Sequence, residues 1–329
     1  MKGIWTGILM IGAINLAFGQ CLPPTAYEVL DVNNAKVGIK NGGDFWWNGQ
    51  LGQYEIPAGS GKHSWFSGGL WIGGLDDSGS LHLAANAYNA NGFDYYPGPI
   101  PANGEMDPLM CVDADRIFKL NRHEVDQFRV LFNETGYTIP LDILEWPATG
   151  NPFATFHTEA PFVDVNDDQT YNPTHGDYPA FSFDGSTDKD HDLLGDQCLW
   201  WVMNDAGNVH TGSGGMQLSV QIQCMTYAFT TCDELNDQTF YRYSITNKSG
   251  NNYNDVFVGL FTDPDLGNPE DDYVGCDVMR NVGYVYNGDA SDGSGPTQYP
   301  DNPPSAGVQI LQGPIANAND GVDNDRDGQ

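Results

Sequence analysis

Short apolar runs separated by glycine and proline recur along most of this 329-residue chain, which contains 40 glycines and 20 prolines. Runs of this length and spacing are typical of β-strands joined by turns. Apolar and polar residues alternate from residue 217 to 224, and the apolar set then changes phase at Met225. A phase change within one strand predicts a bulge or a bend. The pattern predicts a mainly β fold, an antiparallel β-sandwich with one or two short helices and long acidic loops.

Other runs predict the rest of the sandwich. Residues 198–203 form a buried strand in this interpretation, and the segment 239–262 forms a meander of two strands around a polar turn. Residues 256–261 are apolar at almost every position, which predicts a central strand covered on both faces. Further strands are expected at residues 27–39, on either side of the turn at 76–79, at 282–286 and at 308–311.

One amphipathic helix is predicted at residues 122–133. Asn121 and Glu124 stand at the N-cap and N3 positions of a capping box, and apolar residues follow at helical spacing. A second short helix is expected within residues 139–146, with Pro140 near its start.

The first 19 residues have the form of a secretory signal peptide, with Lys2, a short apolar run and small residues before the predicted cleavage at Gln20. A lipoprotein signal is the alternative because Cys21 follows, although a small residue rather than glutamine normally precedes a lipidated cysteine. The predicted organisation is an N-terminal β-rich domain at 20–160, a sandwich with acidic loops at 161–312, and the truncated start of an acidic calcium-loop linker at 313–329. No later run is long enough to span a membrane, which predicts an exported chain without membrane insertion.

Acidic residues dominate the charge: 44 face 13 basic residues, for a formal net charge of −31. Such a surface makes nucleic acid and anionic membranes poor partners. The chain is 40% hydrophobic and 12% aromatic, which supplies enough core to oppose disorder. Its six cysteines permit disulfides, and Cys224 and Cys232 are close enough to close a short loop.

One acidic segment follows the apolar run at 256–261. It contains no base and holds several predicted calcium ligands: Asp263, Asp265, Asp271, Asp272 and Asp277. Crowded carboxylates repel one another unless a cation lies among them, and calcium accepts six to eight oxygens in irregular geometry. The alternative is a solvated acidic loop.

A second acidic segment has the spacing of a calcium loop. Asp164, Asn166 and Asp168 stand at positions 1, 3 and 5, and Asp177 is placed to supply a distal carboxylate. Flanking helices are not predicted, and position 12 is a histidine, so the segment is not an EF-hand. The alternative is a network of Asn and Asp turns.

A third segment repeats this spacing near the end of the sequence, where Asp323, Asp325 and Asp327 precede Gly328. These residues are predicted calcium ligands as well. Acidic residues within 184–196 fit no metal template, and a solvated loop is the interpretation there.

Signals for an enzyme are weak. The sequence contains no His-Glu-x-x-His, Gly-x-Ser-x-Gly or phosphate-binding loop motif. A glycosidase needs only two carboxylates at the right separation, which leaves that class open. Successive residues of a strand point to opposite faces, so one ring of each tryptophan pair is expected outside, and Trp47 and Trp201 are candidate glycan contacts. The alternative is that these rings are core.

Several of these segments resemble a family of large secreted proteins of Bacteroidota, known mainly as type IX secretion substrates. The resemblance rests on residues 68–74, 94–99, 162–179, 200–205 and 263–277. It implies export and further β-rich sequence ending in a C-terminal sorting domain, and it brings no catalytic residues.

Together these features predict an exported calcium-binding β-rich protein of the cell surface or extracellular matrix, with a non-catalytic structural or adhesion role. Calcium is the expected cofactor, and polysaccharide or other surface proteins are the expected partners. The alternative is a secreted glycan-binding module or glycoside hydrolase. A third interpretation is a structural stalk whose acidic loops are only solvated.

Overall fold

The computed structural model describes residues 20–88, 92–181, 193 and 195–313. Short strands prevail in these ranges, as the spacing of apolar runs predicts. In chain order the strands are β1 (Tyr27–Leu30), β2 (Lys36–Lys40), β3 (Asp44–Phe45), β4 (Tyr54–Glu55), β5 (His63–Asp76), β6 (Leu81–Ala85), β7 (Tyr96–Pro97), β8 (Phe118–Asn121), β9 (Phe162–Val163), β10 (Tyr178–Pro179), β11 (Gln197–Asn204), β12 (Val220–Ala228), β13 (Phe240–Asn247), β14 (Tyr253–Pro264), β15 (Asp272–Asp277), β16 (Val282–Asn287) and β17 (Ser305–Gln309). The α-helices are α1 (Pro108–Asp113), α2 (Arg122–Leu131) and α3 (Leu141–Leu144).

The strands form several antiparallel sheets, which confirms the mainly β prediction. The largest has seven strands in the order β1-β2-β3-β5-β14, with β4 and β6 joined to it. A five-stranded sheet has the order β13-β12-β11-β7, with β8 paired to β11, and a three-stranded sheet has the order β15-β16-β17. The ribbon of β9 and β10 stands apart. Sheets cross the boundary expected near residue 160, because β5 pairs with β14 and β8 pairs with β11.

Two cores lie on the two faces of the five-stranded sheet. The first core fills the space between this sheet and the seven-stranded sheet. The seven-stranded sheet contributes Ile39 and Ile72, and the five-stranded sheet contributes Trp201 and Ile222. The second core packs the opposite face against the helices and the loops that follow them, through residues such as Trp146. The five-stranded sheet is therefore covered on both sides.

This double coverage explains the phase change in β12. Ile222 and Cys224 point into the first core, whereas Met225 and Tyr227 point toward the second. The pairing of β11 with β12 runs without a register shift, so the predicted bulge is wrong. The apolar set changed because each face of the strand carries its own mixture of buried polar and apolar side chains; Gln221, for example, accepts a hydrogen bond from an Ile100 N–H at 3.0 Å.

The predicted central strand is instead an edge strand. β14 pairs with β5, and no strand among the described residues pairs with its other side. Phe257 is 76% exposed, and Val256 and Val258 are exposed as well. The predicted meander is also wrong, because β13 belongs to the five-stranded sheet and the chain crosses to the seven-stranded sheet after it. An apolar run indicates a strand but does not identify the neighbour that covers it.

The helix predictions hold, with one difference in capping. α2 and α3 lie within the expected ranges. At the start of α2, Asn121 Nδ2 donates to Glu124 Oε2 at 2.8 Å, so the two side chains bond to each other rather than to the backbone. α1 was not predicted, although Asp107 accepts a hydrogen bond from the Leu109 N–H at 2.9 Å and a proline follows it, which is an ordinary N-terminal signal.

The disulfide joins Cys21 to Cys111. Cys224 and Cys232 do not pair, because Cys224 lies in the first core within β12 while Cys232 is exposed. Cys198 and Cys276 are also unpaired. The bridge ties the N-terminal segment to α1, where Tyr96 packs against it.

A buried pair of His210 and Asp205 lies at the start of β12. His210 Nδ1 and Nε2 each lie 2.7 Å from a carbonyl oxygen, those of Leu83 and Asp205. A carbonyl oxygen only accepts, so these two positions suit donation by the ring nitrogens. The Asp205 carboxylate lies 3.6 Å from His210 Nε2 and accepts from the Leu218 and Val220 N–H groups.

Candidate metal-binding loops

The first acidic loop connects the strands of the small ribbon. Asp164 directly follows β9 and Asp177 directly precedes β10, and Val163 pairs with Tyr178 between them. The ribbon therefore brings these two buried carboxylates to the same end. Asn166 and Asp168 belong to the turn that closes over them.

Backbone amides orient both buried carboxylates. Asp164 accepts from the N–H groups of Asp168 and Gln169 at 3.2 and 2.7 Å. Asp177 accepts from the N–H groups of Val165 and Asn172 at 2.8 and 2.9 Å. Gln169 has φ of 65°, and this left-handed conformation turns its amide inward.

The remaining two predicted ligands complete the same loop. Asn166 Nδ2 donates to Asp168 Oδ2 at 2.9 Å, and the Thr170 hydroxyl donates to Asp168 Oδ1 at 2.6 Å. These hydrogen bonds, those from Thr170 first, lower the pKa of Asp168. Burial, followed by the charges of Asp164 and Asp168, raises the pKa of Asp177. The four residues predicted from spacing thus lie together.

The second acidic loop lies where the three-stranded sheet leaves the seven-stranded sheet. Asp263 is near the end of β14, Asp265 follows it, and Asp272 is the first residue of β15. Asp272 Oδ2 accepts from the Leu266 N–H at 2.8 Å, and the Tyr88 hydroxyl donates to Asp263. These three carboxylates were predicted together from the sequence.

Asp292, which the sequence analysis missed, joins them from the loop after β16. It is buried and accepts from the N–H groups of Asn268 and Tyr299 at 2.8 and 2.7 Å. Its charge and that of Asp271 act on Asp272. We call Asp263, Asp265, Asp272 and Asp292 the junction cluster. The only local signal for Asp292 was an acid in a glycine-containing turn, which is too common to single it out.

Burial is the main cause of the raised pKa values in the junction cluster, and neighbouring charges add to it at Asp265 and Asp272. Burial, then the charges of Asp263 and Asp272, raises the pKa of Asp265 to about 6. Burial is also the first cause of the raised pKa values of Asp263 and Asp272. No lysine or arginine in the described ranges forms an ion pair with any member.

The donor chemistry of the cluster fits a hard cation. All four side chains offer carboxylate oxygens, and Asp272 Oδ1 is buried without a hydrogen-bond partner in the described part of the chain. Within the same residues, no three His, Cys, Asp or Glu side chains converge as a ready-made metal shell. An ion would therefore draw the carboxylates together and complete its shell with carbonyl oxygens or water.

Asp277 lies away from the cluster it was predicted to join. It ends β15, five residues from Asp272, which places it about 17 Å along the strand. There it forms an ion pair with Arg280 and accepts from the Arg280 N–H at 3.2 Å. About half of the predicted acidic segment 263–277 is strand, because β15 begins at Asp272. The extended backbone of β15 carries Asp277 away from the junction cluster.

The predicted exposure of the tryptophan pairs is wrong. Trp47 is 8% exposed and Trp201 is 2% exposed, so neither offers a ring face to a glycan. Trp200 and Trp201 do point to opposite faces, but both faces of the five-stranded sheet are covered. Asp323, Asp325 and Asp327, the acids at 184–192 and the signal segment lie outside the described residues.

Comparison with protein-family models, curated proteins and solved structures found no match to this chain. Among the helices that the structure describes, none has the length and apolarity needed to cross a membrane.

Proposed function

We propose that this chain is an exported calcium-binding β-rich protein of the cell surface or extracellular matrix, with a structural or adhesion role and no catalysis. The observation that carries the proposal is the junction cluster: burial and neighbouring carboxylates raise the pKa values of Asp265 and Asp272, and the buried Asp272 Oδ1 has no hydrogen-bond partner among the described residues. A bound cation would offset the charge of these carboxylates and give Asp272 Oδ1 a partner.

Calcium fits this site better than magnesium. Calcium accepts six to eight oxygens at irregular angles, whereas magnesium requires a tight octahedron and retains its waters. The junction cluster offers carboxylates from two strand ends and two loops, a set without octahedral order. Asp263, Asp265 and Asp272 are the proposed direct ligands, with Asp292 adding its charge.

The loop of Asp164, Asn166, Asp168 and Asp177 is the proposed second site. Its carboxylates already accept backbone hydrogen bonds, but each oxygen retains a further lone pair for an ion. An ion there would stabilise the turn over the β9–β10 ribbon. This site would therefore contribute to the stability of the second core rather than the junction.

Export is supported by the predicted signal segment and by the disulfide, since such bonds persist in oxidising compartments. Cys21 in a disulfide cannot carry a thioether-linked lipid, which favours the cleaved secretory signal over the lipoprotein alternative. The resemblance to type IX secretion substrates supports that route of export.

The test is thermal unfolding in chelator, in millimolar calcium and in matched magnesium. Extracellular calcium modules bind with dissociation constants of about 10⁻⁴ to 10⁻³ M. At about ten times that constant one site adds about 1.4 kcal/mol, and two sites add about 3 kcal/mol. Equal midpoints in the three buffers would reject the proposal. An equal shift with magnesium would reduce it to charge screening.

A further inference from the structure

The solvent face of the three-stranded sheet carries three tyrosines. Tyr273 on β15 pairs directly with Tyr286 on β16, and Tyr284 lies two residues before Tyr286 on the same face. Their exposed fractions are 59%, 46% and 40%, respectively. The opposite face of β16 and β17 packs against the first core through Val285, Ala306 and Val308. We call the three rings the tyrosine platform.

The rings are held in nearly parallel planes. The centroids of Tyr273 and Tyr286 are 5.9 Å apart at an interplanar angle of 22°, and those of Tyr284 and Tyr286 are 6.3 Å apart at 30°. Gly275 lies beneath Tyr284, since a Cβ there would be 2.5 Å from Tyr284 Cζ. The absence of a side chain at this position lets the ring lie down against the backbone, as in cross-strand pairs of aromatic residues and glycine.

This face is nearly neutral in a chain with a net charge of −31. On the strands, the tyrosines share it with Gly275, Asp277, Val282, Ser305, Gly307 and Gln309. Asp277 is the one charged strand residue of this set, and Arg280 pairs with it. The acids of the junction cluster lie at the other end of β15.

We propose that the tyrosine platform binds a neutral polysaccharide. The C–H faces of pyranose rings pack against exposed aromatic rings, and each tyrosine also offers a hydroxyl for hydrogen bonding. Ser305 and Gln309, with the Asp277–Arg280 pair, supply further polar groups at the rim for sugar hydroxyls. Tyr286 is stacked with both other rings, so the three form one continuous aromatic surface on which successive sugars of a chain can pack.

The local charge decides between this ligand and its competitors. A cationic partner would be drawn to the carboxylates of the junction cluster rather than to a neutral face. A second copy would bring a further net charge of −31 against the first. A neutral polysaccharide meets neither difficulty. The proposal concerns a different face from the calcium sites and does not depend on them.

The test measures binding of the whole chain to neutral β-glucan, mannan and xylan at one fixed calcium concentration. Affinity electrophoresis and isothermal titration calorimetry are the two methods. Wild type is expected to bind at least one of the three. Replacing two rings together, Tyr284→Ala with Tyr286→Ala, should weaken that binding about tenfold or more. Tyr284→Phe with Tyr286→Phe should retain most of it, because the ring faces remain.

Phe257→Ala is the matched control. Phe257 is an exposed aromatic residue on β14, outside the platform, and its loss should leave binding unchanged. A second measurement needs no substitution: the bound polysaccharide should protect the three platform tyrosines of wild type from nitration, read by peptide mass spectrometry.

Several results would overturn the proposal. One is that wild type binds none of the neutral polysaccharides, and another is that the double alanine variant binds as tightly as wild type. Two more are that Phe257→Ala weakens binding as much as the double alanine variant does, and that the bound polysaccharide leaves the nitration of the platform tyrosines unchanged. Salt-sensitive binding to cationic chitosan alone would also overturn it, since the net charge explains that result. Self-association abolished by the double alanine variant, without polysaccharide binding, would assign the face to a second copy instead.

Discussion

Replacing Asp265 by asparagine separates two effects of the junction cluster: the loss of stability caused by its buried carboxylates and the proposed gain of stability from bound calcium. The substitution keeps the size of the side chain and removes one charge from between Asp263 and Asp272. In chelator, we expect Asp265→Asn to be more stable than wild type near neutral pH. In calcium, we expect it to gain less than wild type, because a ligand has been lost.

The magnitude follows from the pKa of Asp265. Burial, then the charges of Asp263 and Asp272, raises this pKa from 3.8 to about 6. A shift of that size corresponds to about 3 kcal/mol if it is fully expressed. Asp265 is only partly buried, and solvent screening reduces the expected effect to about 1–2 kcal/mol.

The sign fixes the pH window. The folded chain holds the Asp265 proton more tightly than the unfolded chain does, so protonation favours the fold. This contribution is complete below about pH 4 and is lost as the pH rises through about 6. In chelator, wild type and variant should therefore have nearly the same unfolding free energy near pH 4. Near pH 7.5 the variant should have the higher unfolding free energy.

The assay is urea unfolding in chelator at both pH values, repeated near pH 7.5 with calcium. Asp277→Asn is the control, because Asp277 lies in the same predicted segment but outside the cluster. The control should show the full calcium shift. The reasoning fails if Asp265→Asn is destabilised in chelator near pH 7.5, or if its calcium shift equals that of wild type.

Three further outcomes are expected. Asp164→Asn should lose about 1–3 kcal/mol in urea unfolding even in chelator, since a buried acceptor of two N–H groups is altered, and it should keep the calcium shift of the junction cluster. If His210 and Asp205 form a buried ion pair, His210→Ala should cost about 3–5 kcal/mol in the same assay by leaving the Asp205 carboxylate without its partner; a loss below about 1 kcal/mol would contradict that pairing. Reduction of Cys21–Cys111, which are separated by 90 residues, should lower the unfolding free energy by about 2–5 kcal/mol, and alkylated protein with an unchanged urea midpoint would contradict this.

Periodicity was enough to predict most strands and two of the helices, because the spacing of apolar residues shows which side chains of a strand or a helix face a core. It could not assign partners. Residues 256–261 have the composition of a covered strand, yet β14 lies at a sheet edge because β13 is bound to the other sheet. In β12 the change of phase came from two different cores and not from the backbone. Both errors concern what lies above a strand, which the strand itself does not encode.

The candidate sites divide in the same way. Asp164, Asn166, Asp168 and Asp177 are close in sequence, so spacing brought them together correctly. Asp292 reaches the junction cluster from another loop, and no local pattern links it to Asp265. Tertiary pairing set that contact.

β15 connects the two proposals. Asp272 and Tyr273 are its first two residues, and alternation in a strand sends one side chain to the junction cluster and the next to the solvent face. An ion held by Asp272 would fix the end of the strand on which the platform begins. If calcium strengthens polysaccharide binding through this strand, linkage requires that polysaccharide strengthen calcium binding by the same factor. If the two bindings are independent, β15 is already rigid without the ion, because its pairing with β16 and the packing of Val285 in the first core suffice to hold it.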